Sequence, residues 1–366
     1  MSYPVRRQRK PKGFPSRTML IALCGGLGLI LAILLGVTLY AEHLFGKIER
    51  VDPTENITLS SDDMATIFDT GTMDPTFDGA TIDPTDVTWA TQPTEEVTPI
   101  EDVVNILLIG TDGRYVEERG RSDSIILCTF NTRNKKITLS SLLRDLYVQI
   151  PGQDDNRINA AYALGGMKLL KETVEMNFGV HVDACVTVNF FGFPQIVDTL
   201  GGIEIELTKE EADYLNAEGN WNVPGGTGPG VWQLVGGVNK LNGEQALAYS
   251  RIRDIGADFG RSERQRKVLT LMVDKCKSMN LTTAMELVNT FLPLISTDMT
   301  NQQIVSYART LFPMLSGCTI ASQRLPYYGA YTNATIRGMQ VLLPDLPALR
   351  ANLNKIMAEG LNIPGQ

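Results

Sequence analysis

Residues 103–114, VVNILLIGTDGR, are an apolar run that ends in a turn carrying a carboxylate. A short apolar run followed by Gly, Asp and Gly is typical of a buried strand and the turn after it. Asp112 is therefore expected at the carboxyl end of this strand, where open α/β sheets bind their ligands. The pattern predicts an α/β protein with a site at one edge of its sheet.

Strands and helices alternate on both sides of this run. Further strands are predicted at 124–130, 136–141, 185–189 and 203–207, and helices at 159–177, 191–200, 243–248 and 262–278. This alternation favours an α/β sandwich on a largely central sheet. The glycine-rich stretch 221–237 is predicted to be a long loop, and such loops often act as lids.

The N-terminal region has the pattern of a membrane anchor. Residues 18–41 are uncharged and long enough to cross a hydrocarbon core of about 30 Å as a helix. A cleaved signal peptide is the alternative, but it would have a shorter apolar core and a small-residue cleavage site. Residues 1–17 carry basic side chains and no acid, which predicts a cytoplasmic tail and an extracytoplasmic remainder.

Charge and composition divide the rest of the chain. Residues 51–100 contain no Lys or Arg and are rich in Thr, Pro, Asp and Glu, so they have too little apolar surface to form a core. We therefore predict an extended acidic tether over 42–100 and a folded domain over 101–366. The domain is nearly neutral, although the 366-residue chain has a net charge of −8.

The cysteines outside the predicted span follow no metal-ligand spacing. Cys128 and Cys185 fall in apolar strand-like runs, so we expect buried free thiols there. A disulfide between Cys276 and Cys318 is the less favoured alternative for an extracytoplasmic protein.

Several chemistries lack their residues. The predicted domain has one histidine, His181, and no Gly-x-Ser-x-Gly motif, which speaks against a Ser-His-Asp hydrolase and a zinc site. The Asp258-Phe259-Gly260 triplet lacks the other protein-kinase motifs, and we interpret it as a turn before a helix. No Walker A motif is present.

Arginines and aspartates instead recur where strands end and helices begin. Arginine binds phosphate oxygens in a bidentate manner, aspartate holds Mg²⁺, and the N–H groups of a helix start attract anions. These are the parts of a phosphoryl-transfer site. Structural ion pairs are the alternative for any single residue, such as Arg121 with Asp123, Arg144 with Asp145, or Arg253 with Asp254. The residues concerned are Asp112, Arg121, Asp123, Arg144, Arg157, Arg251, Arg253, Arg261, Arg264, Gln265 and Arg266.

Seven blocks in order make the chain similar to the LytR-CpsA-Psr family, membrane-anchored enzymes of mainly Gram-positive bacteria. The resemblance is good over about 103–267 and weaker afterwards. The blocks are NILLIGTDGR, RSDSIILCTFN, ITLSSLLRDLYVQIPG, RINAAYALGG, VDACVTVNFFGFPQIVDTLGGIEIEL, LNGEQALAYSRIR and DFGRSERQRKV.

This resemblance implies an α/β/α sandwich whose central mixed sheet encloses an apolar tunnel for a polyprenyl chain. It implies transfer of a glycopolymer, such as a teichoic acid or capsule, from a polyprenyl-pyrophosphate carrier to the C6 hydroxyl of N-acetylmuramic acid in peptidoglycan. The product is a phosphodiester. Apolar residues suited to the tunnel are Leu164, Leu169, Phe190, Phe191, Phe193, Ile196 and Val197.

The resemblance also implies roles for the site residues. Asp112 and Asp123 would hold Mg²⁺, or Mn²⁺, and Asp123 is a candidate base for the acceptor hydroxyl. The lipid-linked pyrophosphate would be held by Arg121, Arg144, Arg251, Arg261 and Gln265. Helpers or structural partners would be Arg157, Arg253 and Arg264.

Two other functions use the same residues: a non-catalytic polyprenyl-phosphate or wall-binding regulatory protein, and a pyrophosphatase that acts on the lipid carrier. Nucleic acid is not an expected partner, because the predicted cytoplasmic tail is too short for a folded reader and the arginine cluster lies beyond the predicted span.

Overall fold

The computed structural model describes residues 45–50, 77–92, 97–111, 122–189, 191–217, 232–277, 286–287 and 289–360. The predicted membrane span, residues 18–41, lies outside these ranges. Among the described residues, no helix has both the length and the apolarity needed to cross a bilayer.

Fourteen strands and seven helices of the described residues are used below. The strands are β1 (Glu49–Arg50), β2 (Ala80–Thr81), β3 (Val103–Thr111), β4 (Ser122–Asn131), β5 (Lys136–Leu142), β6 (Tyr147–Val148), β7 (Asn156–Arg157), β8 (Ala184–Asn189), β9 (Ile203–Leu207), β10 (Gly237–Leu241), β11 (Ile295–Thr297), β12 (Thr319–Leu325), β13 (Tyr331–Ile336) and β14 (Met339–Pro344). The helices are α1 (Ile158–Phe178), α2 (Gly192–Thr199), α3 (Lys209–Asn216), α4 (Gly243–Arg251), α5 (Ala257–Lys277), α6 (Asn301–Leu315) and α7 (Leu346–Glu359).

Seven of the described strands form the central sheet, in the order β1-β11-β8-β3-β4-β5-β12. β3 runs parallel to β8 and antiparallel to β4, and β5 runs parallel to β12. The mixed sheet expected from the sequence is therefore confirmed. At one edge, which we call the C-terminal edge, strands β3, β5, β8 and β12 end and β4 begins.

Helices cover both faces of this sheet, because its central strands are apolar on both sides. On the first face, Leu107 and Leu127 pack in one core cluster with Leu170 of α1 and Leu353 of α7. On the second face, Ile126, Cys128 and Leu139 pack with residues of α5 and α6. The α/β/α sandwich is thus confirmed.

The predicted strand 203–207 has the expected bounds but lies outside the central sheet. As β9 it pairs only with β10, in a two-stranded sheet that packs on α2, α3 and α4. β10 begins at Gly237, the last residue of the predicted loop 221–237, and residues 218–231 lie outside the described residues.

The predicted tether is wrong for the residues at both its ends. Ile48 is buried, and β1 pairs with β11, where Arg50 donates a hydrogen bond to the carbonyl of Met299 at 2.8 Å. Ala80 and Thr81 pair with β13. Composition failed here because a few docked side chains anchor a segment that is otherwise polar.

Trp89 is the main anchor of the segment 77–92. Its ring stacks on Tyr147 with a centroid distance of 5.9 Å and an interplanar angle of 13°. Its indole N–H donates to Asp155 Oδ2 at 2.8 Å, and Arg350 of α7 donates to the carbonyl of Thr91 at 2.7 Å. The folded unit therefore begins well before residue 101.

The four cysteines of the described residues, Cys128, Cys185, Cys276 and Cys318, are free thiols. The alternative of a disulfide between the last two is therefore wrong. Cys128 and Cys185 are buried as predicted, and burial raises the pKa of the Cys128 thiol to about 12.

Replacing Trp89 by Ala should destabilise the protein by about 2–4 kcal/mol, because the stacking, the indole hydrogen bond and part of the core contact are lost together. Urea unfolding of the full chain in detergent measures this change. Phe312→Ala is the control, since Phe312 is 67% exposed and should change stability by less than about 0.5 kcal/mol. An equal loss of unfolding free energy in Trp89→Ala and Phe312→Ala would contradict the role of Trp89 as the anchor of the segment 77–92.

Cys128 should resist alkylation by iodoacetamide at pH 8 in the folded protein, because the thiolate is the nucleophile and the raised pKa leaves almost none of it. Peptide mass spectrometry before and after unfolding measures the labelling. Rapid modification of Cys128 in the native state would show that its environment is wrongly described.

Candidate active site

The C-terminal edge brings together backbone segments that adjoin three of the predicted site residues. Thr111, the last residue of β3, lies opposite Ser122, the first residue of β4. Asp112 follows Thr111 in the chain and Arg121 precedes Ser122, but both lie outside the described residues. The side chain of Asp123 is also outside them. The edge position is confirmed for their described neighbours, and the roles of the three residues remain predictions.

Arg144 follows β5 at the same edge and is held by a neighbouring carboxylate. Its Nε lies 3.5 Å from Asp145 Oδ2, while Arg157 Nη1 lies 3.3 Å from Asp145 Oδ1. The structural pair of Arg144 with Asp145 is therefore present. Because the side chains of Arg144 and Asp145 are each 24% exposed, the pair remains open to a solvent-borne anion.

The start of α1 joins β4 to Arg144. The backbone N–H of Asn159 donates to the carbonyl of Arg144 at 3.5 Å, and Ser122 Oγ donates to the carbonyl of Asn159 at 3.4 Å. Asp123 is next to Ser122 in the chain. One helix end thus fixes the relative position of the two segments that carry Arg144 and Asp123.

The Asp-Phe-Gly triplet belongs to α5, so its assignment to a turn before the helix is wrong. The turn lies earlier, at Ile255 and Gly256, whose φ of +77° favours glycine. A Cβ on Gly260 would lie 2.6 Å from the carbonyl oxygen of Ile255, so only glycine fits in this first helical turn. Arg261 consequently lies one turn inside the helix.

The arginines of α5 point in different directions, although the sequence groups them as one cluster. Arg261 and Gln265 are four residues apart and share one side of the helix. Arg264 faces α3 and α4, and Arg266 shares the sheet-facing side with Leu269 and Val273. Arg261, Arg264 and Arg266 are each 6% exposed, while Gln265 is half-buried.

Arg264 forms a buried ion pair that fixes the loop between α4 and α5. Its Nε donates to Glu211 Oε1 at 2.8 Å, and its Nη1 donates to the carbonyls of Ile252 at 3.2 Å and Ile255 at 2.9 Å. The other oxygen of Glu211 accepts the N–H of Thr208 in the capping box of α3. These contacts fit the structural role that the sequence leaves open for Arg264.

Arg251 and Arg253 lie at the end of α4 and directly after it, and both are exposed. The loop that carries them is held to α3 by a hydrogen bond between Tyr214 and Asp254. Burial, and then this contact with Asp254, raises the pKa of the Tyr214 hydroxyl to about 12, so the phenol is protonated at neutral pH. The two arginines therefore extend from a loop with fixed ends.

A model of the LytR_cpsA_psr family matches residues 78–356. The chain belongs to this family. The match covers the segment 78–100 and most of the C-terminal part, which the sequence blocks leave out.

Two curated relatives and one solved structure define the similarity further. The chain is 41% identical over 176 residues to the polyisoprenyl-teichoic acid--peptidoglycan teichoic acid transferase TagU of Enterococcus faecalis, covering 47% of this chain and 52% of TagU. It is 32% identical over 262 residues to Biofilm regulatory protein A of Streptococcus mutans, covering 66% and 59% of the two chains. The chain thus spans little more than half the length of the curated relatives it matches.

The solved structure is the family protein YwtF (TagT) with bound octaprenyl pyrophosphate lipid. It superposes with a TM-score of 0.52 and 26% sequence identity, covering 73% of this chain and 95% of that chain. The central mixed sheet described above is therefore an arrangement that this family shares.

One basic residue near the C-terminal edge, Arg324, has no role in the sequence prediction, whereas its neighbour Arg266 does. The guanidinium carbon of Arg324, the penultimate residue of β12, lies 4.2 Å from the centroid of the Phe259 ring. Arg266 faces the sheet beneath it. The sequence pattern could have identified Arg324, because it lies near the end of a strand just as Arg144 follows one. The family resemblance is weaker in this part of the chain and assigns Arg324 no role.

Within the described residues, no group of three His, Cys, Asp or Glu side chains is arranged to hold a metal ion. The predicted Mg²⁺ ligands, Asp112 and Asp123, lie outside the described side chains. Their carboxylate oxygens suit Mg²⁺ by type, and the metal remains a prediction.

Arg264→Gln should cost about 3–5 kcal/mol of stability, because it leaves the buried Glu211 carboxylate without its charge partner. Urea unfolding measures the loss. Lys209→Gln is the matched control, since it breaks an exposed pair with Asp213 and should cost at most about 1 kcal/mol. Unchanged stability of Arg264→Gln would argue for a ligand-binding role instead.

Proposed function

We propose that this protein transfers an anionic glycopolymer from a polyprenyl-pyrophosphate carrier to the C6 hydroxyl of N-acetylmuramic acid in peptidoglycan. The observation that carries the proposal is the junction of basic side chains at the C-terminal edge with the apolar second face of the sheet. A lipid-linked pyrophosphate has the same two parts. The family membership, the name of TagU and the lipid bound to TagT support it.

The second face is the proposed place for the lipid tunnel. Half-buried helix side chains border both clusters, among them Leu269, Val273, Leu311 and Leu315 on the second face. The strands differ, since Leu108 and Phe130 are half-buried on the second face whereas Leu107 and Leu127 are buried on the first. Apolar side chains left half-buried retain surface that a hydrocarbon chain would cover. Phe312 of α6 is also 67% exposed.

Four of the apolar residues predicted to line the tunnel do not border the second-face cluster. Leu164 and Leu169 lie against the first-face cluster, while Phe193 and Val197 belong to the cluster beneath β9 and β10. Sequence alone identifies these side chains as apolar but not which face of the sheet they cover.

In the proposed reaction, the arginines neutralise the pyrophosphate and hold its phosphorus in line with the acceptor hydroxyl. We assign this role to Arg144, Arg251, Arg261 and Gln265, together with Arg121. Asp123 would accept the hydroxyl proton. Mg²⁺ held by Asp112 and Asp123 would supply further positive charge against the phosphate oxygens. Little covalent chemistry is required of the protein, since positioning and charge neutralisation provide most of the rate.

We further propose a single-pass anchor at residues 18–41 with the N-terminus in the cytoplasm and the folded domain outside the cell. This location would place the domain between the membrane, which contains the lipid carrier, and the wall, which contains the acceptor. Residues 51–76 lie outside the described residues, and an acidic tether over them remains a proposal.

Two alternatives differ from the transferase in their use of an acceptor. A pyrophosphatase would release product without peptidoglycan, and a regulatory lipid-binding protein would release none. The name of Biofilm regulatory protein A is compatible with the second alternative. The arginines at the C-terminal edge favour a reaction on phosphate over a purely apolar lipid carrier.

The full chain in detergent should link a synthetic polyprenyl-pyrophosphate glycan to a peptidoglycan oligomer in the presence of Mg²⁺. Arg144→Ala should slow this transfer about 10²-fold or more, because a charge-neutralising contact in the transition state is lost. Asp145 retains its contact with Arg157, so the fold should survive. Chromatography with mass spectrometry measures the linked product.

Arg309→Ala is the control, since Arg309 is an exposed arginine on α6. Product formation that does not require the peptidoglycan oligomer would indicate a pyrophosphatase. Absence of any turnover by the parent, or equal turnover by Arg144→Ala, would contradict the proposal.

A further inference from the structure

A second cationic cluster lies on the second face of the sheet, below the C-terminal edge. It consists of Arg266 of α5, Arg324 of β12 and Ser141 of β5. Arg324 and Ser141 are register partners in the parallel pair of β12 and β5, so their side chains leave the sheet on the same face. Ser141 is also paired with Ile126, whose side chain belongs to the second-face cluster.

The path of α5 places Arg266 at the same height as Arg324. Lys277, the last residue of α5, donates to the carbonyl of Cys318, directly before β12, at 3.0 Å. Measured along the helix axis from Lys277, Arg266 lies about 16 Å away at 1.5 Å per residue. Measured along the strand from Cys318, Arg324 lies about 20 Å away at 3.3 Å per residue. The helix thus runs antiparallel to β12, and Arg266 and Arg324 lie at similar heights near the C-terminal edge of the sheet.

Two polar atoms of this cluster, Ser141 Oγ and Arg266 Nε, are buried without a hydrogen-bond partner in the described residues. Ser141 is 3% exposed and Arg266 is 6% exposed. Arg266 Nη1 reaches only Ser262 Oγ, at 3.2 Å. Buried polar groups are seldom left in this state, so they indicate a missing ligand.

The charges indicate the sign of that ligand. Burial lowers the pKa of Arg266 to about 10, the nearby Glu263 opposes this shift, and the positive charge of Arg324 adds to it. Arg266 remains charged at neutral pH, and the Arg324 guanidinium is close enough to disfavour that charge. An anion between them would relieve the repulsion and satisfy the orphaned donors.

The neighbours of the cluster indicate what the anion is attached to. Leu269 and Val273 follow Arg266 on the same side of α5, and Ile320 precedes Arg324 on the same face of β12; all three border the apolar second-face cluster. The cationic cluster is therefore the polar end of the apolar layer. A phosphate bound here would have a hydrocarbon chain leading directly away from it.

We infer that Arg266, Arg324 and Ser141 bind the phosphate that is directly bonded to the lipid, separately from the edge arginines that bind the transferred phosphoryl group. The stack on Phe259, a ring that packs against the first-face cluster, fixes the position of the Arg324 guanidinium near the C-terminal edge. The inference rests on the proposed function for its substrate, and it divides the pyrophosphate between two sets of residues.

The division has a chemical consequence for the transfer step. The acceptor oxygen bonds to the distal phosphorus, and the bond from that phosphorus to the bridging oxygen breaks. The electron pair stays on the bridging oxygen, which becomes a terminal oxygen of the lipid monophosphate, and the hydroxyl proton passes to the base. Arg266 and Arg324 then stabilise the charge that develops on the leaving group.

The Kd of a radiolabelled polyprenyl monophosphate for the full chain in detergent micelles tests this inference. The parent should bind it, and Arg324→Gln should raise the Kd about tenfold or more through loss of a charge-assisted contact. Arg324→Lys should give an intermediate Kd, because it keeps the charge but loses the stack. Arg309→Gln, the same change at an exposed site, should leave the Kd unchanged.

Inorganic phosphate is the second ligand tested, and its Kd should be much higher than that of the lipid monophosphate. Circular dichroism confirms that Arg266→Gln, a change at a buried site, is folded before its Kd is compared. An unchanged Kd in Arg324→Gln overturns the inference, and so does equal affinity for the two ligands or no binding by the parent.

The transfer assay on the same preparations separates this inference from the proposed function. Binding that depends on Arg324 in a parent that transfers no glycan would leave the phosphate site standing and remove the transferase assignment. Glycan transfer by the parent, together with lipid binding that does not change in Arg324→Gln, would support the transferase assignment and remove the phosphate site.

Discussion

The buried ion pair between Arg264 and Glu211 is the contact on which the arginine-bearing half of the site depends. It joins α5 to the capping box of α3, and the same guanidinium holds the carbonyls of Ile252 and Ile255. Those carbonyls define the path of the loop that carries Arg251 and Arg253. A residue that never needs to contact substrate thus sets the directions of several that would.

The sheet supplies the other half of the site through its mixed topology. Because β4 runs against β3 and β5, its first residues lie beside the last residues of both neighbours. Arg144 and Asp123 are distant in sequence but lie at adjoining strand ends, and Thr111, the residue before Asp112, ends the neighbouring strand. The start of α1 then fixes two of these segments through Asn159.

Sequence patterns predicted the sheet, the helices and the edge because these depend on apolar periodicity and on where strands end. The family resemblance then supplied roles for Arg144, Arg251 and Arg261. Patterns could not separate the three directions taken by Arg261, Arg264 and Arg266, since that depends on which neighbours α5 meets. Composition also misplaced the segment 77–92, where one stacked ring, Trp89 on Tyr147, outweighs a polar background.

The two faces of the central sheet differ in how completely their strand side chains are buried. The first face has the larger buried cluster and supplies most of the apolar contribution to folding, so any loss of volume there is costly. The half-buried second face contributes less to folding, so its side chains can change in size with little effect on the rest of the molecule. The lining beneath α5 and α6 can therefore change in size while the same scaffold is retained, and under the proposed function such changes would alter the length of lipid that fits.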